Sequence, residues 1–250
     1  MTVLPSNWEA HSTLIGATKM TIRMHSWPMA AVATVLLLIS SAKAGDSNGN
    51  FQIKAGVSGV VWQDQNNGIS INNGAPVAGA GASARDIVLP TATLTYFATR
   101  NVAFELFCCF AHATVAAKGT LAALGNVADT WTFPPILTLQ YHFDGLGAIK
   151  PYVGVGAEWI HYFDSRSKIS AFNKVKFDDS FGLALQAGVD YDLGRGWSAG
   201  VDVKKVFEDT NITWTNASSS TIRTNHDLDP LILTANFGYR FNLQDILEAK

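Results

Sequence analysis

The chain has 250 residues, of which 48% are hydrophobic and 15% charged, with a formal net charge of −2. Soluble domains carry about 25% charged residues, so this chain has little charge for a soluble protein of its size. The balance of 18 basic and 20 acidic residues argues against a nucleic-acid-binding protein, which needs a basic surface. The 21 glycines and the many Ala and Thr residues favour strands and turns over long helices.

Residues 1–44 have the pattern of a secretory signal peptide. Arg23 lies in a short basic lead, residues 30–39 form an apolar run, and a small-x-small motif ends at Ala44. The apolar run is about half as long as the ~20 residues of a membrane-spanning helix, so a retained anchor is the less favoured alternative. We predict cleavage after Ala44 and interpret residues 1–19, which add nothing that a signal needs, as an N-terminal over-extension.

The predicted mature chain, residues 45–250, alternates apolar and polar residues in segments of roughly ten residues. Residues 181–192, FGLALQAGVDYD, are the clearest case. Because neighbours on a strand point to opposite faces, Leu183 and Leu185 would lie on one face and Gln186 on the other. Eight segments follow this alternation: 51–62, 92–99, 102–110, 136–143, 151–163, 181–192, 197–206 and 231–241.

The connections between these segments also alternate, between short and long. The short ones are 100–101, 144–149 and 194–196; the long ones are 61–90, 113–134, 164–179 and 211–229. Short turns at one end and long loops at the other are typical of outer-membrane barrels, whose long loops face outside. The sequence therefore predicts an all-β fold, an eight-stranded antiparallel up-and-down transmembrane β-barrel.

A soluble barrel is the alternative interpretation of the same alternation. Its outward-facing set would be rich in Lys and Glu, whereas the polar set here is mostly Gly, Ala, Ser and Thr. The apolar set carries aromatic residues near the segment ends, as the aromatic belts of membrane barrels do. These residues are Tyr141, Phe143, Trp159, Phe163, Phe181, Tyr191, Trp197, Tyr239 and Phe241. Together with the signal peptide, they favour the membrane barrel.

The chain resembles the outer membrane protein W (OmpW) family of Gram-negative bacteria. The similarity is best in PPILTLQYHF, KPYVGVGAEW, FGLALQAGVDYDL, WSAGVDVKKV and LDPLILTANFGYRF, taken in this order. The resemblance implies an eight-stranded barrel with a narrow, largely apolar passage that moves small hydrophobic molecules inward. Some relatives serve as bacteriocin or phage receptors.

The resemblance also implies that the barrel-assembly machinery recognises a terminal Phe. Family members usually end at this residue, which corresponds to Phe241 here. Residues 242–250 form a short additional C-terminal tail. Either the tail is tolerated in the periplasm, or assembly uses an internal copy of the signal.

The strand directions divide the expected inward-facing residues by height. An apolar cup near the outer end comprises Val60, Trp62, Phe107, Ile136, Ile160, Val206 and Ile232. A charged floor below it comprises Lys54, Glu105, Glu158, Asp190, Asp202, Lys204 and Arg240. An eight-stranded barrel is about wide enough for side chains or one small ligand, and lone buried charges are costly. We therefore expect the floor charges to pair and to block a continuous water channel.

Two functional hypotheses follow from this layering. In the first, the barrel passes small hydrophobic solutes, which must leave sideways into the membrane lipid because the charged floor lies below them. In the second, the barrel is a closed structural or surface-receptor protein whose long loops bind partners such as a phage or a bacteriocin.

Other chemistry has little support in the sequence. No His cluster has metal-ligand spacing, and no motif places a Ser beside a His and an acid. We expect no enzymatic activity, no metal, no cofactor and no nucleic-acid partner. Cys108 and Cys109 are adjacent, so a disulfide between them would need unusual geometry, and we interpret them as small apolar fillers.

Overall fold

A computed structural model describes residues 49–63 and 65–243, with the side chains of 65–67 excepted. The predicted signal peptide and residues 244–250 of the predicted tail lie outside the described residues. The described residues form fifteen strands and a short 3₁₀ helix, Ala122–Leu124. The strands are β1 (Phe51–Val61), β2 (Gln65–Ile71), β3 (Ala80–Ala84), β4 (Ile87–Phe97), β5 (Val102–Cys108), β6 (Ala111–Gly119), β7 (Asn126–Phe133), β8 (Ile136–His142), β9 (Ile149–Ser167), β10 (Lys174–Phe177), β11 (Ser180–Gly194), β12 (Trp197–Phe207), β13 (Asp209–Thr215), β14 (Thr221–Asp227) and β15 (Leu231–Phe241). Within this part of the chain, no helix has the length and apolar character needed to cross a membrane.

Eight of the strands close into an antiparallel barrel. Their order is β1-β4-β5-β8-β9-β11-β12-β15, and β15 returns to β1 with Phe51 opposite Phe241 and Val61 opposite Leu231. Closure pairs both edges of each strand, which a backbone in hydrocarbon requires because the bilayer core offers no hydrogen-bonding partner. The predicted eight-stranded up-and-down barrel is confirmed.

The apolar face of the barrel points outward. In β11, the outward-facing Phe181 and Leu185 are 75% and 45% exposed. The inward-facing neighbours of Leu185, Ala184 and Gln186, are only 0% and 4% exposed. This is the inverse of a soluble barrel, whose apolar side chains fill the interior. A contiguous apolar exterior of this kind needs a lipid environment.

The long connections contain strands that the alternation pattern did not predict. β9 has 19 residues and extends beyond the barrel, where β7 pairs with it and is followed by β6 and β3. β10, β13, β14 and β2 form a separate four-stranded sheet. We call these two groups of strands the loop-end sheets. They share an apolar core that includes Val127, Ile212 and Trp214, all at most 4% exposed.

The opposite end of the barrel, the turn end, has tight connections. Between β11 and β12, Arg195 and Gly196 have φ angles of 55° and 84°. Positive φ at both central residues defines a type I′ turn, whose twist matches that of the flanking strands. This connection explains why two long strands follow each other with only two turn residues between them.

We expect Leu185→Arg to lower the free energy of unfolding by about 2–4 kcal/mol, the cost of an Arg near the midplane of a barrel's lipid face. Leu193→Arg is the matched control, because Leu193 is similarly exposed, at 51%, but lies at the turn end of the same strand. There the cost should be about 0–1 kcal/mol. Equilibrium unfolding in phospholipid vesicles measures both. Equal costs at the two positions would mean that the outer face does not contact hydrocarbon.

Candidate functional site

The middle of the lumen holds a layer of buried ion pairs. Lys54 Nζ lies 2.6 Å from Asp190 Oδ2, and Lys204 Nζ lies 2.6 Å from Asp202 Oδ1 and 3.2 Å from Glu105 Oε1. All five side chains are at most 8% exposed. We call these residues the ion-pair layer. These five of the predicted floor residues are therefore paired in the structure.

Gln186 connects the two sides of the ion-pair layer. Its side-chain oxygen accepts hydrogen bonds from Thr138 and Gln140, both at 3.0 Å, and its amide donates to Glu105 at 2.9 Å. The sequence analysis placed Gln186 on the inward face without assigning it a role. Gln186 lies four residues before Asp190 on the same inward-facing row of β11. This spacing could have predicted a contact between Gln186 and the floor charges.

Aromatic rings fill the space around the lysines. Lys54 Nζ lies 5.0 Å from the centroid of the Tyr152 ring, and Lys204 Nζ lies 4.4 Å from that of Phe107. Such cation–π contacts stabilise the ammonium groups away from water. Close packing at this level is strict, because a Cβ on Gly188 would lie 2.5 Å from the Tyr152 ring.

Arg240 lies below the ion-pair layer, at the turn end. Its guanidinium carbon is 3.7 Å from the centroid of the Phe97 ring, and its Nε donates to the Gly49 carbonyl at 2.7 Å. With Gln52 and His142 it lines a polar vestibule of about 390 Å³. Arg240 was predicted as part of the charged floor, but it lies below the ion-pair layer and lines the vestibule at the turn end.

The predicted cup residues come together above the ion-pair layer. Val60, Phe107, Ile136, Val206 and Ile232 form one buried apolar cluster against which Trp62 packs. Ile160, 3% exposed, lines the same space. The cluster also contains Leu89, Ala111 and Ala184, and Ile87 and Cys109 pack against it; the predicted cup did not include these five residues.

The cluster surrounds a cavity of about 60 Å³, which we call the lumen cavity. It extends from Ser58 and Thr91 at the ion-pair layer to Phe177, Ile212 and His226 in the loop-end sheets. Burial lowers the pKa of His226 to about 4, so this imidazole is neutral at pH 7. The lining is otherwise mainly apolar.

Glu158 does not lie with the ion-pair layer, contrary to the prediction. It is 2% exposed and lines the lumen cavity. On β9 it is opposite Ile136 of β8 and Gly182 of β11, which places it at the height of the apolar cluster. Barrel strands are tilted and staggered, so the height of a residue depends on the register as well as on its distance along the strand.

The barrel wall is interrupted beside the lumen cavity. The ladder between β4 and β5 ends at the pair Ala92 and Cys108. The next backbone hydrogen bond on this side runs from the Arg85 N–H to the Thr114 carbonyl, at 3.1 Å. Between these two links, residues 86–91 and 109–113 form no backbone pairs with each other among the described residues. Pro90 lies in this stretch and has no N–H to donate.

Within the described ranges, no group of three or more His, Cys, Asp or Glu side chains is placed to hold a metal ion. The functional features of the lumen are therefore four: a polar vestibule, an ion-pair layer, an apolar cavity and an interrupted wall. A closed barrel with an apolar exterior and a polar interior is a transmembrane barrel of the outer-membrane type.

The chain belongs to the OmpW family, whose family model matches residues 47–241. It is 32% identical over 235 residues to outer membrane protein W of Salmonella typhimurium, covering 87% of this chain and 100% of that protein. It is 30% identical over 129 residues to the dibenzothiophene metabolism operon protein PahQ of Pseudomonas aeruginosa, covering 51% of this chain and 58% of that protein. The crystal structure of the outer membrane protein OprG from Pseudomonas aeruginosa matches with a TM-score of 0.72 and 29% identity, covering 79% of this chain and 98% of that chain.

The protein is therefore located in the outer membrane of a Gram-negative bacterium. In barrels of this class the long connections face outside and the tight turns face the periplasm. The loop-end sheets accordingly lie on the outer side, with the lumen cavity directly below them and the ion-pair layer further toward the periplasm.

We expect Lys204→Met to lower the free energy of unfolding by about 3–5 kcal/mol, because Glu105 and Asp202 would lose a buried cation. The triple variant Lys204→Met/Glu105→Gln/Asp202→Asn should recover part of this loss, since it removes the uncompensated charges as well. Equilibrium unfolding in vesicles measures both variants. A loss below about 1 kcal/mol for Lys204→Met would show that the ion-pair layer is hydrated.

Proposed function

We propose that the protein is a passage for small hydrophobic molecules, which enter from the loop end, occupy the lumen cavity and leave sideways into the membrane. The observation that carries the proposal is the position of the apolar cavity between a sealed layer and an interrupted wall. Each of these three features supports one step of the path.

The ion-pair layer makes the direct path to the periplasm unfavourable. An apolar solute moving down from the cavity would have to separate Lys204 from Glu105 and Asp202, which are at most 4% exposed. Separating such buried pairs without water leaves charges uncompensated, at a cost of several kcal/mol. The apolar solute does not offset this cost, because it cannot form hydrogen bonds with the separated charged groups.

The interrupted wall offers the lower-cost path. Both of its edges line the cavity, with Leu89 and Thr91 on one side and Cys109, Ala111 and Ala113 on the other. A solute passing between these edges breaks no backbone pairing, since residues 86–91 and 109–113 form none with each other. The exit would deliver an apolar molecule into lipid, where its transfer is favourable.

The name of one relative supports the solute class. PahQ is named for a dibenzothiophene metabolism operon. Dibenzothiophene is an uncharged aromatic compound whose chemistry matches the apolar lining, although it is larger than the cavity of about 60 Å³ in the structure. The barrel proposed here would serve this kind of solute, with the membrane lipid as its acceptor and with no chemical conversion of the solute.

The second candidate function is a closed structural or surface-receptor barrel. It is favoured by the small size of the lumen cavity, about 60 Å³, and by the ordered loop-end sheets, which could bind a phage or a bacteriocin. In that case the cup residues pack against one another and no solute passes.

A disulfide across the wall interruption tests the exit. In the ladder between β4 and β5, Thr91 and Cys109 are the first unpaired residues next to the last pair, Ala92 and Cys108. The double variant Thr91→Cys/Cys108→Ala should therefore form a disulfide between residues 91 and 109. We expect the oxidised barrel to lose most uptake of a small apolar solute such as toluene into proteoliposomes, and reduction to restore it. Mass spectrometry confirms the bond.

The control disulfide lies one position below the interruption. Ala92→Cys/Cys109→Ala joins residue 92 to Cys108 at a rung that is already paired, so it should leave toluene uptake within about twofold of the wild type. Unchanged uptake with the 91–109 bond formed would rule out lateral release at this place.

A polar substitution in the cavity separates the two candidate functions. Ile160→Asp places a carboxylate in the apolar lining, so uptake of toluene should fall at least about tenfold while the barrel keeps its heat-shifted gel mobility. Uptake equal to that of the wild type would remove the cavity from the path and leave the receptor function as the better explanation.

A further inference from the structure

Two buried carboxylic acids meet beside the lumen cavity, and Glu158 is the one that lines it. Glu158 of β9 and Glu208, directly after β12, are 2% and 6% exposed, and their carboxyl groups contact each other. Gly182 of β11 lies between their strands, and a Cβ there would be 2.8 Å from Cβ of Glu208. The absence of a side chain at Gly182 lets the two acids approach. We call Glu158 and Glu208 the acid pair.

The acid pair differs from the ion-pair layer because it has no cation. Among residues 49–63 and 65–243, no Lys or Arg forms an ion pair with either acid. The Ser180 hydroxyl donates to Glu208 Oε2 at 3.1 Å. Glu158 Oε2 and Glu208 Oε1 have no hydrogen-bond partner in the described structure. His226 also lines the cavity, but it is neutral and brings no positive charge.

Buried carboxyl groups without a cation are uncommon, since the charge is costly to remove from water. Two carboxyls in contact cannot both ionise easily, so the pair holds at least one proton and carries at most one negative charge. Glu158 is the one carboxylic acid among the described residues that line the cavity. A cationic partner for the pair can therefore come from the cavity.

We propose that the acid pair is the binding subsite for a primary ammonium group, so that the lumen cavity takes small amphipathic amines. The ammonium would enter from the cavity and bind Glu158 Oε2, with Glu208 Oε1 behind it as the second acceptor, and the hydrocarbon part would pack on Val60, Phe107 and Ile232. An ammonium has three donors and a positive charge, which matches two free acceptors with one negative charge. An alcohol leaves the charge uncompensated, and a carboxylate is repelled.

The cavity limits the size of the amine. A water molecule needs about 10–15 Å³ of cavity volume, so about 60 Å³ suits roughly five non-hydrogen atoms. n-Butylamine has this size, and n-butanol is its matched neutral analogue. This inference deepens the proposed function and rests on it only in assuming that solutes reach the cavity.

Isothermal titration of the barrel in lipid nanodiscs tests the subsite, with empty nanodiscs correcting for partition into lipid. At pH 7 we expect n-butylamine to bind at least about tenfold more tightly than n-butanol. Glu158→Gln and Glu208→Gln should each weaken n-butylamine binding at least about tenfold and leave n-butanol within twofold. These substitutions keep the side-chain shape and replace one carboxyl acceptor by an amide, so the barrel should assemble while the ammonium loses one of its two acceptors.

Asp209→Asn is the control variant. Asp209 is the acid next to Glu208 in sequence, is exposed and accepts a hydrogen bond from Asn225 at 3.0 Å. Its loss should leave n-butylamine binding within twofold. Equal binding of the amine and the alcohol by the wild type, or full amine binding by both Gln variants, would overturn the subsite. Because titration requires no transport, amine binding without toluene uptake would count against the passage alone, and toluene uptake without amine binding against the subsite alone.

Discussion

A backbone in the hydrocarbon core of a bilayer has to find its hydrogen-bond partners within the protein, because each unsatisfied group costs several kcal/mol. This constraint explains why β15 returns to β1 over the full length of both strands, from the Phe51 and Phe241 pair to the Val61 and Leu231 pair. The same constraint makes the place where the ladder between β4 and β5 ends unusual. Residues 86–91 lie at the loop-end start of β4, away from the middle of the strand, where the ladder to β5 is intact.

The lumen contains two kinds of buried acid, and their surroundings assign them different roles. Glu105 and Asp202 share Lys204, and Gln186 ties them to the opposite wall. Such a layer stays closed because moving any member leaves another charge alone. Glu158 has the same chemistry without a cation, in contact with a second acid beside a cavity. Its environment is suited to meeting a positive group from outside, whereas the environment of Glu105 is complete.

The alternation of side chains was sufficient to predict the barrel, because one face of each strand meets lipid and the other meets the lumen. Period-two patterning also placed Val60, Phe107 and Ile232 on the inner wall. It missed Leu89 because Pro90 reads as a strand breaker, although a proline is tolerated in β4 where the neighbouring edge is unpaired. The height of a residue along the barrel axis was harder to predict than the face of the strand on which it lies. The tilt and stagger of the strands set the height of Glu158, and no single segment records them.

The alternation of apolar and polar residues did not predict the strands of the loop-end sheets, for a different reason. They are short, from four residues in β10 to nine in β6, and they pair with each other or with the extension of β9 rather than with the barrel. Their alternation reflects an apolar core of their own, around Trp214. This core places side chains such as Phe177 and Ile212 at the top of the lumen cavity.

Covering the top of the cavity has a consequence for the direction of the proposed path. A solute that has passed the loop-end sheets is enclosed mainly by apolar side chains and has two ways to leave, through the ion-pair layer below or through the interrupted wall beside it. Passing the layer requires separating Lys204 from two acids, a cost of about 3–5 kcal/mol, whereas the interrupted wall has no backbone pairs to break and we expect only side chains such as Leu89 to change rotamer. Rotamer changes cost about 0.5–1.5 kcal/mol when they leave a staggered well. On this comparison the proposed lateral route is favoured by a factor on the order of 10–10³ in rate, so the proposal does not require a described strand to move.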